Sequence, residues 1–256
     1  EWLDNSLGGG FLEAGKALYV FAGETNIGKS IFLGNIASNM AEDGKNVLLV
    51  TLEMSELLYA RRLCSNVTKI PMKELADNTP SIKQAMNDQG GKIFIKEFPP
   101  ATITANQLKA FIKKFQEKGI KIDAIVLDYL NLMHSPVGNN SYERIKHVTE
   151  QVRAMSYLFN CPIISATQLN RAGFDTDNPD LATISESIGL AATADAIISI
   201  FQNEEDRGIG IIRLGMMKNR YGPRGMTQAM RIDYSTLTIE QADDIEIDEG
   251  MDDTLN

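Results

Sequence analysis

Two spacings of apolar residues alternate along the first three-quarters of the chain. Short continuous apolar runs occur at residues 17–22, 47–52, 92–95, 122–127 and 162–166. Runs of that length, rich in Val, Ile and Leu, predict strands buried on both faces. Between them, residues 29–43, 55–66, 105–118 and 141–160 place apolar side chains three and four positions apart, the spacing of amphipathic helices. The alternation implies an α/β fold with a mainly parallel, twisted sheet and helices on both faces. After Ala194 the long helical stretches stop. Residues 196–201, 209–218 and 226–234 read as strands punctuated by Gly208, Gly210, Gly222 and Gly225, which predicts an antiparallel C-terminal extension of the sheet. Residues 171–180 are polar, carry Gly, Asn and Pro, and have no period; an exposed loop is expected there. No internal repeat is present.

Charge then sets the boundary of the domain. The net charge of -9 argues at first against a nucleic-acid partner. Eight of the acidic residues, however, fall between Glu240 and Asn256, where there is no Lys or Arg. Without them the body is near neutral, which leaves room for a local basic surface. We therefore expect one folded domain over residues 1–239 and an acidic, disordered tail over 240–256. Two readings of that tail stand: it docks a partner by charge, or it only keeps the protein soluble.

The remaining composition removes several classes of function. No apolar stretch approaches the roughly 20 residues that span a bilayer, so a soluble protein is expected. Cys64 and Cys161 lie far from each other and from both histidines, which suggests neither a disulfide framework nor a zinc site. Reduced thiols in a cytoplasmic setting are the plain reading. The first residue is Glu1, with no signal-peptide pattern, and the start reads as a cut from a longer polypeptide.

The first candidate chemistry follows the first strand. Gly23-Glu24-Thr25-Asn26-Ile27-Gly28-Lys29-Ser30 fits G-x-x-x-x-G-K-[ST] and opens directly onto a helical stretch. The glycines let backbone N–H groups curl around phosphates, and the helix N-terminus adds its positive dipole end. Lys29 would reach the β- and γ-phosphates, and the Ser30 hydroxyl would ligate magnesium. ATP and Mg²⁺ are the implied cofactors. Such a cradle requires a second magnesium ligand. Residues 124–128 form an apolar strand ending in Asp128, the layout of a Walker B carboxylate. Asp123 competes, but it precedes its strand, whereas ligands gather at the C-terminal edge of a parallel sheet.

Two more polar groups end strands at that edge. Glu53 closes the second strand and reads equally as a general base for water or as a helix cap or surface acid beside Ser55. Gln168 closes the fifth, as a γ-phosphate sensor or as an amide that anchors a loop.

Taken in order, these segments resemble the motor domain of DnaB-type hexameric replicative helicases, within the RecA-like P-loop group. The matching pieces are G-E-T-N-I-G-K-S, L-E-M-S at residues 52–55, I-V-L-D-Y-L-N-L-M at 125–133, S-A-T-Q-L-N-R at 165–171 and K-N-R-Y-G at 218–222. The segment S-E-S-I-G-L-A-A-T-A-D at 185–195 looks closer to helicases of large tailed bacteriophages than to bacterial ones. The resemblance implies an ATP-driven, 5′–3′ helicase motor that works as a hexameric ring on single-stranded DNA, with a primase and a helicase loader as partners. It makes Glu53 the catalytic base, Asp128 the magnesium carboxylate and Gln168 the sensor. Lys218 and Arg220 become cations inserted into the neighbouring subunit's nucleotide site, since a guanidinium there stabilises the transferring phosphoryl group. By chemistry alone, a solvated basic strand end is the simpler reading of those two. Arg62 lies where the family stacks an arginine near the base, with Arg61 as its competitor. Ser185, Glu186, Ser187 and Gly189 match a DNA-contacting channel loop. This chain, however, has Ser185 where bacterial relatives carry an arginine. Arg171, with the polar segment it opens, is a second channel-loop candidate.

Other readings share the cradle. A recombinase would polymerise on DNA as a filament, but no aromatic-bearing polymerisation segment is evident. A small-molecule kinase would carry an arginine-rich lid close to the phosphates. A RecA- or KaiC-like protein acting as a nucleotide-gated DNA-binding scaffold or loader is a further reading, but a non-hydrolysing switch would have no need for the acid at Glu53.

Overall fold

The computed structural model describes residues 1–11, 15–169, 181, 184 and 188–242. Its centre is a single nine-stranded sheet. Five parallel strands and their helices come first: β1 (Leu18–Gly23), α2 (Lys29–Glu42) after a short α1 (Trp2–Ser6), β2 (Val47–Thr51), α3 (Glu56–Thr68), α4 (Thr79–Asp88), β3 (Ile93–Glu97), α5 (Ala105–Glu117), β4 (Ala124–Asp128), α6 (Ser141–Phe159) and β5 (Ile163–Gln168). Then follow α7 (Ile188–Thr193), β6 (Ala196–Phe201), α8 (Glu204–Gly208), β7 (Ile211–Asn219), β8 (Thr227–Asp233) and β9 (Thr238–Gln241). The order across the sheet is β3-β2-β4-β5-β1-β6-β7-β8-β9. Strands β3 through β6 run parallel, and β7, β8 and β9 are antiparallel.

Successive residues of the central strands face opposite sides, so each buried run feeds two cores. Leu18, Val20, Leu48, Val50, Ile125 and Leu127 pack with α5, α6 and α7. Tyr19, Phe21, Val47, Leu49 and Val126 pack with α2 and α3. Helix ends follow local chemistry. Thr104 and Gln107 form a reciprocal capping box on α5, and the Asn140 side chain accepts from Glu143 N at 2.8 Å to cap α6.

The predicted strands and long helices are present, with ends shifted by one or two residues. β7 starts at Ile211 and not at 209, because Gly210 turns with φ +71. α1, α4, α8 and β9 carry too little signal to be predicted: they are short or, in α4, have no buried residue. β9 also moves a boundary. It pairs with β8 through Gln241, so the sheet passes residue 239 and takes in Glu240, which the charge pattern assigns to the tail. The loop over 171–180, the segment 185–187 and the acidic run from 243 lie outside the described residues. No helix among the described residues is long and apolar enough to cross a membrane.

Candidate nucleotide site

The loop between β1 and α2 owes its shape to its glycines. A Cβ on Gly23 would sit 2.8 Å from Ile27 Cγ2 and 2.9 Å from Ile200 O, so only hydrogen fits. Gly28 has φ +103, a left-handed conformation that side chains avoid, and it stands at the N-cap of α2 without a capping side chain. The first N–H groups of a helix have no intrahelical acceptor, so this uncapped end offers donors and a positive dipole to an anion. Thr25 and Asn26 are exposed while Ile27 is buried in the core. Ile27 therefore anchors the loop and can offer a ligand only its main chain.

Lys29 begins α2 and is buried. Its Nζ donates to Gly23 O at 3.0 Å and to Glu24 O at 2.5 Å. Burial pulls its pKa below the ordinary lysine value, opposed by the charges of Asp128, Glu53 and Glu24. The ammonium folds back onto the carbonyls of its own loop.

Asp128 ends β4 opposite Thr51 and is 1% exposed. Neither carboxylate oxygen has a hydrogen-bond partner among the described residues. Burial raises its pKa, and the neighbouring hydroxyls of Ser30 and Tyr59 and the charge of Lys29 pull it back. A buried carboxylate with only those two hydroxyls beside it, neither in hydrogen-bonding geometry, is costly unless a cation or donor completes it. An oxygen-only pair of Asp128 and Ser30 suits magnesium. Thr167 Oγ1, next to Gln168 on β5, is likewise buried without a partner among the described residues.

The structure separates several alternatives left by the sequence. Ser55, not Glu53, caps α3, with its hydroxyl accepting from Leu58 N at 3.2 Å. Glu53 is left exposed at the C-terminal edge of the sheet, without a capping duty. Gln168 pairs in register with Gly23 and donates from Nε2 to the Tyr129 hydroxyl at 3.0 Å. Arg62 lines a small cleft with Ser30, Asn66 and Leu237, whereas Arg61 reaches outward to Met72 O. Asp123 sits at the opposite edge, accepting from Asn46 N and paired with Lys121.

Sequence reasoning passed over Tyr59 and Tyr129. Tyr59 is fully buried and donates to Ser30 O at 3.1 Å, which ties α3 to the turn that opens α2. Tyr129 offered one readable signal, its place directly after Asp128 at a strand exit. A groove between α1, α2 and the edge of β9 lies elsewhere and contains none of Lys29, Ser30, Glu53, Asp128 or Gln168.

Three predicted site residues stand apart from the cradle. Lys218 and Arg220 lie where β7 pairs with the start of β6, the edge opposite Gly23. Lys218 Nζ donates to the carbonyls of Ala191, Ala192 and Ala194, closing the C-terminal end of α7. Arg220 donates from Nη1 to Asp195 Oδ1 at 3.0 Å. Gly189 is buried in α7, where a Cβ would meet Lys146 Cβ at 2.7 Å. Close helix packing is therefore the role visible for Gly189. Arg171, Ser185, Glu186 and Ser187 lie outside the described residues.

A family model described as the DnaB-like helicase C-terminal domain matches residues 1–238. The chain belongs to that family. Among curated relatives, the DnaB-like replicative helicase of Enterobacteria phage T4 is 26% identical over 86% of this chain and 49% of its own length. The replicative DNA helicase DnaB of Geobacillus stearothermophilus is 26% identical over 82% of this chain and 49% of its own. The chain thus spans about half the length of the curated relatives it matches. Of solved structures, one described as an ATPase domain aligns with a TM-score of 0.80 at 20% identity, covering 94% of this chain and 89% of that one. A DnaB-like replicative helicase, solved to show its interactions with primase, aligns with a TM-score of 0.77 at 19% identity, over 89% of this chain and 58% of that one. The fold is that of RecA-like helicase ATPase domains, a mostly parallel sheet with antiparallel C-terminal strands.

Proposed function

We propose that this DnaB-family domain is the ATP-hydrolysing motor of a replicative DNA helicase, which moves on single-stranded DNA as a homo-hexameric ring and separates duplex. The observation that carries the reading is the split of the chemistry between two edges of one sheet. Lys29, Ser30, Glu53, Asp128 and Gln168 gather at the C-terminal edge, and Arg220 stands at the other. A cation there is a strand's length from its own phosphate cradle, so it serves catalysis only through a neighbour.

The roles follow from the groups. Lys29 exchanges its two loop carbonyls for phosphate oxygens, which gives charge-assisted bonds in place of neutral ones. Asp128 and Ser30 would hold Mg²⁺, which would supply neutralisation of phosphate charge. Glu53 accepts the proton of the attacking water. Gln168 exchanges the Tyr129 hydroxyl for the γ-phosphate and reports its loss to the chain that follows β5. A primase and a helicase loader are the protein partners we propose, with the cytoplasm, a host's if the chain is phage-encoded, as the site of action.

ATPase activity measured with and without single-stranded DNA, beside the mass in solution, tests the whole reading. Stimulation by DNA together with a six-subunit mass is expected. DNA-independent turnover by a monomer would overturn it, and a filament on DNA without unwinding would favour a recombinase.

Glu53→Gln tests the base. The amide keeps the shape but cannot take a proton, so ATP should bind and persist while turnover falls by roughly 10²-fold or more. Rapid-quench turnover at the wild-type rate would mean that another group activates the water.

A further inference from the structure

Asp195 stands one residue before β6, and its side chain is 2% exposed. Its carboxylate accepts four hydrogen bonds. Oδ2 takes Leu18 N and Arg153 Nε, each at 2.9 Å, while Oδ1 takes Arg153 Nη2 at 2.9 Å and Arg220 Nη1 at 3.0 Å. Those four donors fill the lone-pair positions of a carboxylate. The two-point grip of Arg153 fixes the plane of the carboxylate and therefore the direction in which it can hold Arg220. Arg220 is tied to the same residue a second time, its backbone N–H donating to Asp195 O at 3.0 Å.

Arg220 itself is only partly committed. Its side chain is 45% exposed, and beyond the Nη1 bond it makes one longer contact, Nη2 to Ala192 O at 3.4 Å. A guanidinium has five N–H donors, so most remain uncommitted among the described residues. A guanidinium anchored along one side and exposed along the other is oriented before any phosphate arrives, which removes an ordering cost from the reaction.

We propose that Asp195, braced by Arg153, is the positioning residue for Arg220 as it acts on the neighbouring subunit's nucleotide. The proposal rests on the trans-acting reading of Arg220 given above. Asp195 touches neither nucleotide nor reacting atoms and works only through Arg220.

Asp195→Asn is the test. The amide oxygen can still accept from Leu18 N, but the charge that holds two guanidinium groups is gone. The KM for ATP should stay within about twofold of wild type while kcat falls about 10- to 10²-fold, the effect of a misplaced catalytic group. The readout that a merely structural role would not give is complementation in verified mixed assemblies of the full chain. Asp195→Asn mixed with Glu53→Gln should regain activity, because the Glu53→Gln subunits supply intact Arg220 to intact Glu53. Asp195→Asn mixed with Arg220→Ala should regain nothing, because both lack a working cation on the same face. Wild-type kcat in Asp195→Asn overturns the proposal. So does failure to regain activity with Glu53→Gln while Arg220→Ala and Glu53→Gln do complement. If that control pair itself fails, the trans-acting reading has failed first, and this proposal with it. Should Asp195→Asn not fold by circular dichroism, Arg153→Lys is sorted in the same way. It keeps the charge but loses the two-point grip, and a wild-type kcat there overturns the proposal equally.

Discussion

Replacing Lys29 with alanine is expected to bring nucleotide turnover to background while leaving the fold intact. The Lys29 ammonium bonds Gly23 O and Glu24 O. Both carbonyls belong to a loop whose neighbours Thr25 and Asn26 are exposed, so water can replace the ammonium there. The stability cost should therefore stay at the level of one or two ordinary hydrogen bonds, about 1–3 kcal/mol. Catalysis loses far more. In the role proposed above Lys29 would be the cation of the cradle, and burial would make its contact with phosphate stronger than an exposed lysine could manage. Removing one preorganised group aimed at developing charge costs on the order of 10²–10³-fold, and loss of nucleotide affinity adds to it. Its removal should also leave the Asp128 carboxylate harder to ionise, since the Lys29 charge is one of the influences that lower the Asp128 pKa. Steady-state ATPase with a thermal-melt comparison checks this. Turnover at the wild-type rate would end the assignment of the cradle.

Much of this site could be read from one chain because parallel sheets bring the ends of their strands together. Glu53, Asp128 and Gln168 are 115 positions apart at the extremes, yet each closes a buried run, and buried runs were the strongest pattern available. Gly23 and Gly28 of the candidate cradle are equally legible, since their spacing follows from the backbone path itself. The rest of the site depends on contacts that no local pattern encodes. Tyr59 is one of several aromatics until α3 lays its hydroxyl on Ser30 O. Arg153 and Asp195 meet across 42 positions between the middle of α6 and the foot of β6. α4 went unseen for the opposite reason: with no face buried, it has no apolar stripe to read. Neither could the sequence say that Lys218, one of two cations paired by the family resemblance, is already bonded to three carbonyls at the end of α7. Any action of Lys218 on a neighbour must first release them.

Arg220→Ala is expected to bind nucleotide nearly as wild type does and to hydrolyse it slowly. The side chain lies at the edge of the sheet opposite its own cradle, so its loss leaves the Lys29, Ser30 and Asp128 contacts of that subunit untouched. Turnover should fall by about 10³-fold or more if Arg220 acts like other arginine fingers. Folding should suffer little, because Asp195 keeps Arg153 and Leu18 N as partners after Arg220 is gone. A loss confined to kcat would still fit a residue that helps its own subunit indirectly. Mixing with Glu53→Gln separates the two cases. Each variant should be nearly inactive alone, but in a ring some interfaces pair an intact Glu53 with an intact Arg220 from next door, and those interfaces should turn over. Assembly is concentration-dependent, so the mixtures must be made well above the dissociation constant of the ring. Activity beyond the sum of the separate variants, in mixtures shown to co-assemble, is the expected result. Recovery of nothing would return Arg220 to the role of a solvated strand-end cation and would move a recombinase-like or monomeric ATPase ahead of the ring helicase.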